Sequence, residues 1–200
     1  MFDAKAEIEL GMRLENGAQS VLVRWPTDQE WAARSKARKI LIRRLGRGVS
    51  ETVPPEPIDA DLTLTEKILL NGSGTVTKAE AFSILEALGT CSVTDVEIVG
   101  DQATVALNVL TGPVEHRIKV PTAGQVVAFK RSGFRMLDLP YSQQQIQLFI
   151  EPAAQLWDAC GGTAEGYEGA VPAIHKDTAV RAVIDYLDRK LGAPNADESF

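Results

Sequence analysis

Two stretches of the chain, Glu7 to Glu15 and Ala103 to Leu110, alternate between apolar and polar residues. A period of two is typical of a half-buried β-strand, because successive side chains point to opposite faces of a sheet. Each stretch leads to a glycine, Gly17 or Gly112, and glycine readily adopts the positive φ that hairpin turns require. The pattern therefore predicts two β-hairpins, each with a short return strand.

The two predicted return strands, Ser20–Trp25 and Glu115–Val120, are each followed by Pro-Thr. Proline has no N–H to donate to the ladder of a sheet, so it marks the end of each strand. The threonines, Thr27 and Thr122, each stand three residues before a Glu or a Gln. This is the spacing of a capping box, which predicts the start of a helix after each hairpin.

Apolar residues at helical spacing predict how far the two helices extend. The first is expected to run from Asp28 to Leu45, and the second to stop at Leu139-Pro140. Gly133, inside the second predicted helix, indicates either close packing against a neighbour or a kink. The expected apolar face of the first helix consists of Ala33, Ala37, Ile40 and Leu41, and that of the second consists of Val126, Phe129, Met136 and Leu137.

These two segments have the same order of elements and are offset by 95 residues. At that offset the turn glycines, the Pro-Thr pairs and several apolar positions coincide. We therefore expect an α+β fold with duplicated β-hairpin-plus-helix modules, residues 12–42 and 107–137, and additional packed helices. Duplication is the favoured interpretation, and the alternative is that these are common elements with independent origins.

Residues 49–60 hold three prolines and three acidic side chains, which is typical of an extended spacer. The sequence thus predicts an N-terminal ββα module at residues 1–48 and a larger α+β module at 61–191. A polar tail at residues 192–200 is expected to be disordered. The sequence leaves open whether the two modules pack together.

The larger module is expected to contain several further elements. A strand at Val93–Val99 joins the second hairpin in a three-stranded meander. Gln143–Ile150 fits either a fourth strand or the start of a helix that continues to Cys160, and a helix broken near Pro152 is favoured. Other predicted helices are a short one within Asp61–Leu70, one capped by Thr77 that ends at Leu88, and a last one from Lys176 to Leu191.

The formal net charge is −6, yet residues 28–47 carry seven basic and two acidic side chains. On the predicted first helix, Lys36, Lys39, Arg43 and Arg47 form a basic stripe. Such a stripe is either a solvated face, with cations near the helix C-terminus, or a contact surface for an acidic partner. We assign these four residues as candidate partner-binding residues, and the partner is another protein or a second copy of this chain.

The side chains that could act in catalysis or bind a metal do not form a known motif in this sequence. His116 and His175 lack partners at the spacing of a metal site, and His175 is expected to be a capping or loop residue. We therefore expect no catalytic, cofactor-binding or metal-binding residues and no cofactor. Two isolated cysteines and the lack of a long apolar run predict a cytoplasmic protein that does not contact a membrane.

The segments VLVRWPTDQEWAARSK and HRIKVPTAGQVVAFKR resemble the N-terminal portion of tail assembly chaperones from long-tailed bacteriophages. The segment GYEGAVPAIHKDTAVRAVIDYL is similar to uncharacterised proteins encoded among phage or prophage structural genes. The resemblance implies a non-enzymatic protein in the bacterial host cytoplasm. It implies that this protein binds the largely helical tape-measure protein during tail assembly.

Two other function classes remain open. A soluble nucleic-acid-associated or regulatory protein would use the basic helix predicted at residues 28–47, although the negative charge of the remaining chain repels phosphate. An enzyme would have to use a site that the sequence does not reveal. The assembly or structural-interaction protein is the favoured prediction.

Overall fold

A computed structural model describes residues 1–14, 17–46, 49–71, 76–139 and 143–192. These residues form six α-helices and twelve β-strands, so the fold is α+β, as expected from the sequence. The helices are α1 (Asp28–Ala37), α2 (Asp59–Ile68), α3 (Lys78–Leu88), α4 (Ala123–Ser132), α5 (Ile150–Ala159) and α6 (Ala173–Gly192). The strands are β1 (Phe2–Asp3), β2 (Glu7–Leu14), β3 (Gly17–Arg24), β4 (Ile40–Gly46), β5 (Val49–Thr52), β6 (Cys91–Val99), β7 (Gln102–Val109), β8 (Gly112–Lys119), β9 (Phe134–Leu139), β10 (Gln143–Leu148), β11 (Thr163–Glu165) and β12 (Tyr167–Glu168).

Both predicted hairpins are present. Strand β2 pairs with β3, and β7 pairs with β8, in antiparallel register up to the turn glycines. These glycines adopt positive φ, 106° at Gly17 and 116° at Gly112, as the turn positions required. Strands β6 and β11 extend the second hairpin into a sheet of order β11-β8-β7-β6, which contains the predicted meander. We call this the core sheet.

The predicted capping boxes begin three helices. Thr27 Oγ1 accepts from the N–H of Glu30 at 3.2 Å, and the Glu30 carboxylate accepts from the N–H of Thr27 at 2.9 Å. Thr122 and Thr77 begin α4 and α3 in the same way. Each Pro-Thr pair therefore lies immediately before a helix, because the threonine satisfies an N–H that would otherwise lack an acceptor.

The predicted lengths of the two repeated helices are wrong. Helix α1 ends at Ala37, and the chain from Ile40 to Gly46 is a strand, because Arg38 takes an extended conformation and the β-branched residues Ile40 and Ile42 favour a sheet. Of the apolar face predicted for this helix, Ala33 and Ala37 are exposed. The residues of α1 that are buried are Trp31, Ala32 and Arg34.

The second helix is also shorter than predicted. Gly133 ends α4 by donating its N–H to the carbonyl of Phe129 at 2.6 Å, and strand β9 follows at once. A Cβ on Gly133 would collide with the Phe129 ring, so the close packing expected at this glycine is observed at the end of the helix. Met136, which was expected in the buried face, lies on β9 and is 49% exposed.

The element boundaries of the two segments coincide at the predicted offset. Strands β2 and β7, strands β3 and β8, and helices α1 and α4 begin and end 95 residues apart. A strand follows each helix, β4 in the first segment and β9 in the second. The segments at residues 12–42 and 107–137 each contain the expected hairpin and a shorter helix than expected, and their duplication stays a prediction.

A second four-stranded sheet, of order β5-β4-β10-β9, joins the two segments, and we call it the outer sheet. Its strand β10 contradicts the favoured helix from Gln143, and the alternative of a strand there is correct. Helix α5 begins only at Ile150, with Pro152 in its first turn, where an N–H has no intrahelical acceptor. The first four residues of the spacer predicted at residues 49–60 form β5.

One hydrophobic cluster forms the core. It includes Val23 and Trp31 from the predicted N-terminal module and Val105 and Val183 from the predicted larger module. The two modules therefore pack against a common core, a point that the sequence left open. The tail predicted to be disordered lies outside the described residues from position 193 onward.

Candidate functional site

The predicted basic stripe is not the face of one helix. Lys36 lies on α1, Lys39 lies between α1 and β4, and Arg43 lies on β4, 3.9 Å from Glu51. All three side chains are exposed, and Arg47 lies outside the described residues. The basic helix predicted at residues 28–47, on which the nucleic-acid alternative depended, is therefore wrong, since α1 ends at Ala37.

Two other arginines of this region are held in a partly buried network of charges. Arg34 donates to Asp61 at 2.7 Å and to Glu86 at 2.9 Å, and Arg38 donates to the same two carboxylates at 3.2 Å and 2.8 Å. Asp61 is fully buried and also accepts from the N–H of Ile58 at 2.9 Å. Because buried charges are tolerated only when they are paired, this network fixes α1 against α2 and α3.

The register of the outer sheet places most of its apolar side chains on one face. Ile146 on β10 lies opposite Ile40 on β4 and opposite Met136 on β9, and Leu148 lies opposite Phe134. Residues directly opposite each other in antiparallel strands point to the same side. We call this side of the sheet the apolar face. The opposite side carries Leu41, Arg43, Arg135, Gln145 and Gln147.

The apolar face is not covered by the core. No side chain of the outer sheet, within the part of the chain that the structure describes, is buried or belongs to the core cluster. The face lies instead across a groove of about 470 Å³ from helix α6. The residues that line this groove are Phe129, Lys130, Phe134, Met136, Ile146, Leu148, Arg181, Ile184, Asp185 and Asp188.

Arg181 fixes α6 to the ends of the neighbouring elements beside this groove. Its Nε donates to Asp177 at 2.9 Å, and its Nη2 donates to the carbonyls of Gly133 at 3.0 Å and Phe149 at 3.1 Å. The guanidinium also lies over the Phe129 ring. Burial raises the pKa of Asp177, and the charge of Arg181 and its hydrogen bonds oppose that rise. The wall of the groove is therefore rigidly positioned by polar contacts.

A second feature, which the sequence did not reveal, joins the two histidines through a buried tyrosine. The Tyr167 hydroxyl lies 2.8 Å from His116 Nε2 and 3.2 Å from His175 Nδ1, so it donates to one ring and accepts from the other. Both histidines are fully buried. His175 lies in the first turn of α6, so its predicted role as a capping or loop residue is wrong.

Burial controls the charge of this chain of side chains. Burial, with a smaller effect of the Lys176 charge, lowers the pKa of His116 to about 4. Burial also lowers the pKa of His175 to about 3, and it raises the pKa of the Tyr167 hydroxyl. Both rings are therefore neutral near pH 7. Phe2 contacts Tyr167 and His175 edge to face. The two histidines and Tyr167 are therefore enclosed by the aromatic core and do not line a cleft.

Burial disfavours the thiolate form of both cysteines. Burial raises the pKa of the Cys91 thiol to about 11, so this cysteine is a poor nucleophile near neutral pH. Cys160 is buried. Among the described residues, no three or more side chains of His, Cys, Asp or Glu are grouped as metal ligands, and no helix there is long and apolar enough to cross a membrane.

The candidate functional site is therefore the groove, and the sequence contained one signal for it. Gln145 and Gln147 alternate with Ile146 and Leu148, which is the period of a strand with one apolar face. In comparisons with known proteins, the chain matches no family model, no curated protein and no solved structure.

Proposed function

We propose that this chain is a non-enzymatic assembly protein of a bacteriophage or prophage, which acts in the cytoplasm of the bacterial host. The resemblance of its two Pro-Thr segments to tail assembly chaperones implies this class and implies the tape-measure protein as its partner. The observation that carries the proposal is the apolar face of the outer sheet, which remains uncovered above α6. Exposed apolar surfaces of this kind commonly mark protein interaction sites.

The shape and chemistry of the groove suit an amphipathic helix. Its interior combines Phe134, Met136 and Ile146 from the sheet with Ile184 from α6. Charged side chains stand at its border, including the ion pair between Lys130 and Asp188 at 2.6 Å. An amphipathic helix could place its apolar side against the interior of the groove, while its polar side stays near the charged border.

The groove is tested by two substitutions of equal charge on neighbouring residues of β10. Ile146→Glu places a carboxylate in the groove, whereas Gln145→Glu places one on the opposite side of the same strand. Burying a carboxylate in an apolar contact is costly, so we expect Ile146→Glu to weaken binding at least tenfold and Gln145→Glu to leave it within about threefold. Binding is measured by fluorescence anisotropy with labelled helical segments of a bacteriophage tape-measure protein.

Circular dichroism of both variants verifies that the fold is retained. The proposal is contradicted if the unaltered protein does not bind these segments at micromolar concentrations. Equal loss of binding in both variants would also contradict the groove as the site. In that case the exposed basic residues Lys36, Lys39 and Arg43 become the better candidate surface.

A further inference from the structure

One charged side chain of the groove between the outer sheet and α6 has no partner among the described residues. The charged residues that line this groove are Lys130, Arg181, Asp185 and Asp188. The Lys130 ammonium donates to both carboxylate oxygens of Asp188, at 2.7 Å and 2.6 Å. Arg181 is held by Asp177 and by two backbone carbonyls. The Asp185 carboxylate makes no such contact with the described residues, so the unpaired charge of the groove is negative.

The neighbouring cations on α6 do not neutralise Asp185 by direct contact. Arg181 lies one turn before Asp185, but its guanidinium is directed to Asp177 and to backbone carbonyls. Arg189 lies one turn after Asp185 and donates its Nε to the backbone carbonyl of Asp185, at 3.2 Å. Because the Asp185 side chain is exposed, water solvates its carboxylate in the free chain.

A helix bound in the groove would change the surroundings of Asp185. This residue directly follows Ile184, whose side chain is 3% exposed and belongs to the apolar interior of the groove. A partner that covers this interior therefore also removes water from the adjacent carboxylate. Removing water from a charge is costly unless an opposite charge replaces the water, so a cation of the partner compensates for this cost. An acidic side chain at the same place adds repulsion between like charges.

We propose that the groove selects amphipathic helices that carry a lysine or an arginine at the border of their apolar side, where it reaches Asp185. This selectivity rests on the proposed function, because it requires the groove to bind a helix. The lining residues of α6 extend from Arg181 to Asp188, which is about 10 Å along the helix axis. A partner segment of about two turns covers this stretch of α6, and one cation at its border is enough to meet Asp185.

Three synthetic peptides that differ in one side-chain type test this selectivity. Each peptide has about 18 residues, because shorter helices are marginally stable in water, and each carries the same leucine stripe at helical spacing. The residues at both borders of the stripe are lysine in the first peptide, glutamine in the second and glutamate in the third. Both borders are changed together so that the result does not depend on the direction in which the helix binds. Affinity is measured by fluorescence anisotropy at physiological ionic strength, which screens the distant charges of the chain.

We expect the lysine peptide to bind about three- to tenfold more tightly than the glutamine peptide, and the glutamate peptide to bind most weakly. The factor lies between that of an exposed ion pair and that of a buried hydrogen bond to a charged group. Asp185→Asn removes the negative charge and should remove most of the preference for lysine. Asp185→Lys should reverse the order, so that the glutamate peptide binds more tightly than the lysine peptide.

Asp101→Asn is the matched control for the loss of one negative charge. Asp101 is exposed, lies in the turn between β6 and β7, and does not line the groove. This variant should therefore keep the full preference for lysine. Circular dichroism verifies that all three variants retain the fold.

Several results would overturn this selectivity. It is wrong if the three peptides bind with equal affinity, or if none of them binds at micromolar concentrations. It is also wrong if the preference for lysine persists in Asp185→Asn, or if Asp101→Asn removes that preference to the same extent. Either of the last two results would assign the preference to the net charge of the whole chain.

A failure of this selectivity can be distinguished from a failure of the proposed function. Tape-measure segments that bind the unaltered chain but not Ile146→Glu, without any preference for lysine peptides, would retain the groove as a helix site and exclude the selectivity. Lysine peptides that depend on both Ile146 and Asp185, without binding of tape-measure segments, would retain the selectivity and exclude the tape-measure protein as the partner.

Discussion

The core sheet and the outer sheet are both four-stranded and antiparallel, yet only the core sheet is buried on one side. In the core sheet, Ala103, Val105 and Leu107 are fully buried along one strand. In the outer sheet, Ile146 and Leu148 alternate in the same way and remain partly exposed. Alternation along a strand thus specifies which side is apolar, but it does not specify whether anything covers that side.

The position of helix α6 accounts for this difference in burial between the two sheets, because α6 lies beside both of them. It packs on β6 and β7 of the core sheet, where Val180 and Val183 are fully buried. Its residues Arg181 and Asp185 line the groove below the outer sheet. A groove remains between α6 and the outer sheet, so the apolar side of that sheet is only partly covered.

The largest effect is expected from the two histidines of the chain, which are buried on the core-sheet side. They should lower the free energy of unfolding in acid. Their folded pKa values, about 4 and about 3, lie below the unfolded value of about 6.5, so the unfolded chain binds protons that the folded chain does not. The stabilisation is complete above pH 6.5 and falls as the pH decreases. The expected loss is about 1.4 kcal/mol per pH unit for each histidine, or roughly 5 kcal/mol at pH 4.5.

Urea unfolding between pH 6.5 and pH 4.5 measures this loss. Hydrogen bonds from Arg24 lower the pKa of Glu30 to about 2, so Glu30 reduces the free energy of unfolding only below about pH 4.5. The raised pKa of Asp177 has the opposite effect, because it favours the folded state as the pH falls. His116→Gln should halve the dependence on pH. A constant free energy of unfolding across this range would show that the histidines are not buried as a neutral pair.

The next effect compares equivalent truncations in the two sheets. Leu107→Ala leaves a cavity in the core sheet, where the side chain is fully buried, and should lower the free energy of unfolding by about 2–5 kcal/mol. Ile146→Ala removes a partly exposed side chain from the outer sheet and should cost less than about 1 kcal/mol. Chemical denaturation measures both values. Equal costs would mean that the outer sheet is covered in solution, for example by a second copy of the chain.

The smallest effect on stability is expected at the exposed basic residues. The combined change Lys36→Glu, Lys39→Glu and Arg43→Glu should alter the free energy of unfolding by no more than about 1 kcal/mol, as is usual for surface positions. It should also weaken association with an acidic partner or with a second copy, because the positive charges are reversed. Thermal unfolding and sedimentation velocity measure the two properties. Unchanged association would identify these side chains as an ordinary solvated surface.

Local sequence patterns predicted the elements whose causes are local. The turns at Gly17 and Gly112 depend on backbone conformation, and the helix starts at Thr27 and Thr122 depend on contacts within four residues. The ends of α1 and α4 were predicted wrongly for a different reason. Residues 40–46 and 134–139 become strands because β10 pairs between them. Strand β10 follows residues 134–139 closely, but it is about 100 residues away from residues 40–46 in the sequence.

The sequence by itself determined the α+β class, the two hairpins and the capped helix starts, because each rests on neighbouring residues. Only the tertiary structure decided the groove, since its walls come from the outer sheet, α4 and α6. The same holds for the pair His116 and His175, which are 59 residues apart and meet through Tyr167. Contacts between distant segments depend on how the elements pack together, and no local pattern of residues specifies that packing.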